Sequence, residues 1–289
     1  MRKAACALEL LVIKNILLQL SPYPIRTPDN VISASLEIAK MLGSKVTAAV
    51  CQIELPIPSN FLATTTGDIS AAVAEARRDA EIAAQEVKDV LTRLGEGSYP
   101  QIETITLERF ADAQSSGLMG HARLSDLVIV PTAPHGATHD LAQDLVFGCG
   151  RPVLLLPNNV ASPISLAVVV VAWDGSRVAA RAISDALPFL RFAQTVQLVE
   201  VTGDKPLDGS GSIVALREQL LSHDVHAVAE TISSEGNDAG EVLAAYCTCH
   251  HADLLVMGAY GHSRIRDFVL GGVTKHFVTD ALLPVLLSH

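Results

Sequence analysis

The chain has 289 residues, 49% of them apolar and 18% charged, enough to bury a sizeable core and not the composition of a disordered protein. Its net charge is −10, divided as −4 over residues 1–160 (13 basic, 17 acidic) and −6 over residues 161–289 (8 basic, 14 acidic), so neither part offers the broad basic surface that nucleic acid binding needs. No apolar run approaches the ~20 uncharged residues of a membrane-spanning helix, and the five cysteines, odd in number and mostly in apolar context (Cys6, Cys51, Cys149), fit reduced packing thiols better than a disulfide framework.

The start of the chain has a basic head and some apolar length, but Glu9 and Lys14 interrupt it and no small-residue cleavage pattern follows. Residues 1–11 therefore read as a loosely attached extension, and the chain as cytoplasmic. A strand is expected at 13–20. A helix follows at 30–42, with Asn30 as N-cap, Ile32, Leu36, Ala39 and Leu42 inward, and Gly43 closing it. The next strand is 46–51. An excursion rich in Pro and Thr, at about 52–69, leads into a long helix at 70–94. Its inner face reads Val73, Ala76, Ala80, Ala83, Val87, Val90 and Leu94, and its charged outer face reads as solvated. Strand 102–107, a helix near 111–123, strand 127–130, a helix near 139–147 and strand 153–156 complete the first half.

Residues 157–163, Pro-Asn-Asn-Val-Ala-Ser-Pro, form a turn-rich linker. The second half repeats the order: strand 166–172, helix 177–192 with Pro188 inside, strand 196–201, helix 211–222, strand 227–232, helix 238–250, strand 254–258, a helix near 273–280 and strand 285–287. Two segments recur between the halves. Ser125-Asp126-Leu127-Val128-Ile129-Val130 returns as Ala252-Asp253-Leu254-Leu255-Val256-Met257, and Arg151-Pro152-Val153-Leu154-Leu155 returns as Leu283-Pro284-Val285-Leu286-Leu287. A shared pair of strands closing each half points to duplication. The alternation predicts two similar doubly wound parallel five-stranded sheets with helices on both faces, in domains 1–157 and 166–289 joined by a linker at 158–165.

In such sheets ligands settle at the carboxyl ends of the strands, where strand order reverses. Two segments of the second half fall there: Ala172-Trp173-Asp174-Gly175-Ser176, and Gly258-Ala259-Tyr260-Gly261 with Gly271-Gly272-Val273-Thr274 further on. Glycines let backbone amides approach an anion, and a helix starting at Val273 adds its positive end and the Thr274 hydroxyl. Arg264, Arg266 and Lys275 collect around this stretch against the single acid Asp267.

The spacing Gly258-x2-Gly261-x9-Gly271, behind Asp-Leu-Leu-Val-Met and ahead of Pro-Val-Leu-Leu, resembles the nucleotide signature of universal stress proteins, and Asp174-Gly175-Ser176 is similar to that family's turn after the first strand. The resemblance covers residues 166–289 well and 13–156 more weakly. It implies an adenine nucleotide alpha hydrolase-like fold and a cytoplasmic stress-response module that binds ATP or another adenine nucleotide, with or without Mg. Asp174 would meet the adenosine, Val201 would pack near the base, and Gly258, Gly261 and Gly271 would line the ribose and phosphates. Gly272 stands where the family usually has Ser or Thr, which weakens the expectation of triphosphate affinity by about one net hydrogen bond, ~1 kcal/mol. The same resemblance implies pairing of the two halves as an internal pseudo-dimer, with 153–156 and 285–287 as the meeting edges, and leaves room for a homodimer.

The first half departs from the pattern. After Val130 comes Pro131-Thr132-Ala133-Pro134-His135-Gly136, five residues of the cradle are missing, and Ser21-Pro22 stands where the second half has Asp174. A structural role is expected for it. No Gly-x-Ser-x-Gly elbow, Gly-x4-Gly-Lys-Ser/Thr loop or Gly-x-Gly-x2-Gly fingerprint is present. Asp174 and His262 would support at most slow ATP hydrolysis, so no dedicated enzyme is expected. Simpler readings stand beside these: Asp174 as a helix-capping residue, a nucleotide-free interaction protein in place of a nucleotide binder, solvated loop histidines at 121, 135 and 139, and ordinary helix-end packing for Cys247, Cys249, His250 and His251 rather than a metal site.

Overall fold

A computed structural model describes residues 13–54, 67–96, 100–110, 116–132, 139–203, 212–259, 273, 274, 277 and 281–289. The extension at 1–11 and the tip of the expected excursion, 55–66, lie outside these.

The first half runs β1 (Asn15–Leu20), α1 (Asp29–Leu42), β2 (Lys45–Glu54), α2 (Gly67–Gly95), β3 (Ile102–Phe110), α3 (Ser116–Leu124), β4 (Leu127–Thr132), α4 (His139–Gly148) and β5 (Val153–Pro157). The second runs β6 (Val168–Ala172), α5 (Arg177–Leu190), β7 (Thr195–Thr202), α6 (Ile213–Leu221), β8 (Ala227–Ser233), α7 (Ala239–Cys249), β9 (Leu254–Gly258) and β10 (Val285–Ser288). The two five-stranded parallel sheets are one sheet, in the order β3-β2-β1-β4-β5-β10-β9-β6-β7-β8. The join is a single antiparallel pair, β5 with β10, in the register Val285–Leu155, Leu286–Leu154 and Leu287–Val153. Both closing strands are therefore internal, and the outer strands are β3 and β8.

Period-two alternation splits the strand side chains between two cores. Ile16, Leu18 and Leu20 of β1, with Val169 and Val171 of β6 and Trp173 just beyond it, face α1, α2, α5 and α6. Leu17 and Val170 face α3, α4 and α7. Both cores run through the two halves without interruption. Full burial stabilises each such aliphatic side chain by roughly 1.5–3 kcal/mol.

The repeated aspartates have a structural task in this frame. Asp126 Oδ2 accepts the Lys14 and Asn15 amides, each at 2.9 Å, while its own amide donates to the Asn15 carbonyl. Asp253 repeats this, accepting the Val168 amide at 2.8 Å and the Ser165 hydroxyl at 2.9 Å and donating to the Val168 carbonyl. Each aspartate ties the start of its half's fourth strand to the start of the first.

Several sequence-based expectations need correction. Asn30 does not cap α1: the helix starts at Asp29 behind Pro28, and the Asn30 side-chain amide donates to the Asn158 and Val160 carbonyls, both at 2.9 Å. Glu37 continues this anchoring by accepting the Ser162 hydroxyl at 3.1 Å and the Ile164 amide at 2.8 Å. The linker is thus bonded along α1. Residues 52–54 extend β2 rather than beginning an excursion. In α2 the buried residues are Ala80, Ala84, Val87, Val90 and Leu91, Val73, Ala76 and Ala83 are half-buried, and Leu94 is left 38% exposed at the helix end. Of the expected helix at 273–280, only Val273, Thr274 and Phe277 are described, and they are helical.

Candidate functional site

β6 has β7 on one side and β9 on the other, so the chain order reverses between β6 and β9. The carboxyl ends of these two strands bring the sequence-predicted residues together. The Trp173 amide still donates to the Val199 carbonyl at 2.8 Å, after which the chain turns. One Asp174 carboxylate oxygen accepts the Ser176 amide at 2.9 Å, a turn closed by its own side chain. Gly175 takes a φ of 76°, a left-handed backbone that costs glycine least. Ser176, buried, is the N-cap of α5, its hydroxyl accepting the Ala179 amide at 3.2 Å. Asp174, two residues before the cap, therefore shapes the turn rather than capping the helix itself.

Gly258 ends β9 against this first helical turn. A Cβ on it would lie 2.5 Å from the Ala179 nitrogen, 2.6 Å from the Val178 carbonyl carbon and 2.7 Å from Val178 Cγ2. The absence of a side chain there is what lets α5 start directly over the end of β9. The sequence places Gly258 beside a ligand; on the side where its Cβ would point, the neighbour is the chain's own backbone. Val201, half-buried near the end of β7, and Val273 pack on the same core cluster. Thr274 is buried, 4% exposed, and Phe277, three residues on, lies in the core. Gly261, His262, Gly271 and Gly272, with the basic residues Arg264, Arg266 and Lys275, lie outside the described residues.

Three further features were not visible in the sequence. Trp173 forms part of a cavity of about 370 Å³ between α5 and α6, with Ile183, Leu187, Leu216, Gln219 and His223. Gln19, the first half's counterpart of Ala172, is 2% exposed with an unpartnered side-chain oxygen. Ala259, directly after Gly258, has its amide donating to the Ser288 carbonyl at 2.8 Å and its carbonyl in contact with His289 Nδ1 at 3.0 Å. Only the alternation of apolar residues hinted at the first of these.

The residues weighed as a metal site do not converge. Among the described residues no group of three or more His, Cys, Asp or Glu is placed to hold an ion. His250 stacks on Tyr246 with ring centroids 4.0 Å apart and meets the Gln197 amide at 3.1 Å. Burial pushes the Cys247 thiol up to about 12, which favours the neutral form over a thiolate ligand.

In the first half the equivalent positions follow from strand register, since Leu18 pairs with Ile129 as Val171 pairs with Val256. Ser21 then matches Asp174 and Pro131 matches Gly258. Eight residues, 21–28, separate β1 from α1, where four, 173–176, separate β6 from α5. The longer loop closes on itself, the Ser21 amide donating to the Thr27 hydroxyl at 3.0 Å and the Thr27 amide to the Ser21 carbonyl at 2.8 Å. α5 lies along β9 and β10, whereas α1 leans on α2 and β2.

With this geometry in place, residues 167–289 match the sequence model of the universal stress protein family. A universal stress protein of Synechocystis is 44% identical over 48 residues, a stretch covering 17% of this chain and 17% of that protein, so the chain spans about a sixth of the curated relative it matches. The crystal structure of a universal stress protein from Archaeoglobus fulgidus superposes with a TM-score of 0.68 at 14% identity, over 94% of this chain and 97% of that one. A functionally unknown protein from Pseudomonas aeruginosa superposes with a TM-score of 0.58 at 16% identity, over 96% and 92%. At such identities the likeness is one of fold, and it extends over both halves.

Proposed function

We propose that this chain is a stress-response module built from two universal stress protein domains, of which the second binds ATP or another adenine nucleotide and the first serves as structural support. The observation that carries this reading is the meeting of the Asp174 turn, the first turn of α5 and the glycine end of β9 at the point where strand order reverses, the place where doubly wound sheets take ligands. The family match over residues 167–289 supports it.

In this reading Asp174 meets the adenosine and Val201 flanks the base. Gly258, Gly261 and Gly271 frame the ribose and phosphates, and Gly272, Val273 and Thr274 lead into the following helix, whose amino end favours an anion. Mg would accompany a triphosphate. The two halves act as an internal pseudo-dimer through β5 and β10. Asp174 and His262 support slow hydrolysis at most, so nucleotide occupancy, rather than turnover, is the signal. No helix among the described residues is long and apolar enough to cross a membrane, and a cytoplasmic site of action is part of the proposal.

Mass spectrometry of the purified chain under non-denaturing conditions tests this. An adenine nucleotide carried through purification, or taken up on titration, is the expected result. A chain that carries none and shows no saturable binding of ATP, ADP or AMP at millimolar concentration overturns it.

A further inference from the structure

Because β10 runs antiparallel to β5, its carboxyl end arrives beside the amino end of β5, just after α4 of the first half ends at Gly148. The first half thereby reaches the root of the second half's candidate site. The contact is a ring pair: His289 and Phe147 meet edge to face, centroids 5.0 Å apart and planes at 70°. The same imidazole bonds through Nδ1 to the Ala259 carbonyl at 3.0 Å. A carbonyl only accepts, so Nδ1 is the donor there. With the Ala259 amide bonded to the Ser288 carbonyl, both backbone polar groups of the residue leaving β9 are held by residues 288 and 289.

Both residues are exposed, Phe147 at 43%, but the chain beside each is held. Next to Phe147, the Gly148 carbonyl accepts both Nε and Nη2 of Arg123 at 3.2 Å. A Cβ on Gly148 would lie 2.8 Å from Met119 Cε, so α3 and α4 are close-packed there. On the other side, the Ser288 hydroxyl donates to Asp185 of α5 at 3.0 Å, and the same carboxylate takes Arg181 Nε at 2.8 Å. The end of β10 is thus bound to α5, to β9 and, through His289, to the first half.

We propose that His289 and Phe147 are positioning residues for the nucleotide site: Phe147 of the first half braces the His289 imidazole, and His289 fixes the exit of β9 at Ala259, one residue beyond Gly258. The proposal rests on the nucleotide reading of that site. It gives the half without a site a direct hold on its sibling's.

The test uses the full chain with Phe147→Ala, Phe147→Tyr, His289→Ala, His289→Asn and the double alanine variant. Amide hydrogen exchange is followed by NMR without nucleotide, and ATP affinity by calorimetry. In both single alanine variants the Ala259 amide exchanges about tenfold faster, while Leu255, bonded to the Pro284 carbonyl at the other end of β9, is unchanged. ATP affinity falls about fivefold, the worth of one net hydrogen bond. Tyr at 147, which keeps the ring contact, restores both values, whereas Asn at 289, which keeps a donor but offers no ring for Phe147 to brace, does not. The double variant is no worse than His289→Ala, because the two residues act in series. Acceleration of Ala259 and Leu255 together, or of neither, overturns the proposal. A wild-type chain that binds no nucleotide while Ala259 responds selectively overturns the functional reading and leaves the clamp standing. A chain that binds well while Phe147→Ala changes neither exchange nor affinity overturns the clamp alone.

Discussion

The two halves share a strand order, a pair of stapling aspartates and a continuous core, yet they differ at the one place where a ligand would sit. In the second half four residues separate β6 from α5, and Gly258 lets the helix begin against β9. In the first half eight residues separate β1 from α1, Pro131 occupies the matching position, and Ser21 replaces the carboxylate of Asp174. What differs is thus a backbone approach as well as a side chain. On the proposed reading, restoring one residue would not give the first half a site, because its first helix does not start over the neighbouring strand.

The sharpest way to break this comparison is Gly258→Val. Its added carbons meet backbone atoms of Val178 and Ala179 rather than flexible side-chain ends, so α5 must shift. Urea unfolding is expected to show a loss of about 3 kcal/mol, with nucleotide binding abolished, while Pro131→Gly in the first half leaves binding unchanged. Next come the stapling aspartates, which make matching bonds in the two halves. Asp126→Ala and Asp253→Ala should each cost ~2 kcal/mol in the same assay, since each leaves two donors at the start of a strand without their charged acceptor. A large inequality between them would show that the halves are not built alike.

Asp174→Ala removes the acceptor for the Ser176 amide, worth ~1 kcal/mol of stability, and is expected to weaken nucleotide binding far more than it weakens the fold. Ser21→Asp should create no second site, as calorimetric titration would reveal. The smallest effect concerns the buried thiols, in which the halves again agree: burial raises Cys149 and lifts Cys247 to about 12. A raised acid is neutral in the folded state, so the stability linked to Cys247 is fully present below its ordinary value of 9.0 and is lost as pH rises toward about 12. Mass mapping after iodoacetamide at pH 8 should find exposed Cys249 labelled and Cys149 and Cys247 protected.

Much of this architecture is legible in the residues themselves. Alternating apolar runs and glycine stops place the strands and helices, and the repeated Asp-Leu and Pro-Val-Leu-Leu segments announce the duplication. Asp174 and Gly258 stand out because they fall at the carboxyl ends of strands, where doubly wound sheets take ligands. Other features depend on packing, which a linear pattern does not carry. Asn30 looks like an N-cap but bonds the linker, because its partners, Asn158 and Val160, lie about 130 residues away. Gly258 stands at a strand end in the sequence, and only the fold shows that α5 excludes a Cβ there. Phe147 and His289 meet only because β5 and β10 pair antiparallel, a register no periodicity encodes.

The most direct measurement is the stoichiometry of adenine nucleotide binding to the intact chain, by calorimetry, for the wild type and for Asp174→Ala. One nucleotide per chain is expected in the wild type and none in the variant. Two per chain, none at all, or one that survives the substitution would contradict that expectation.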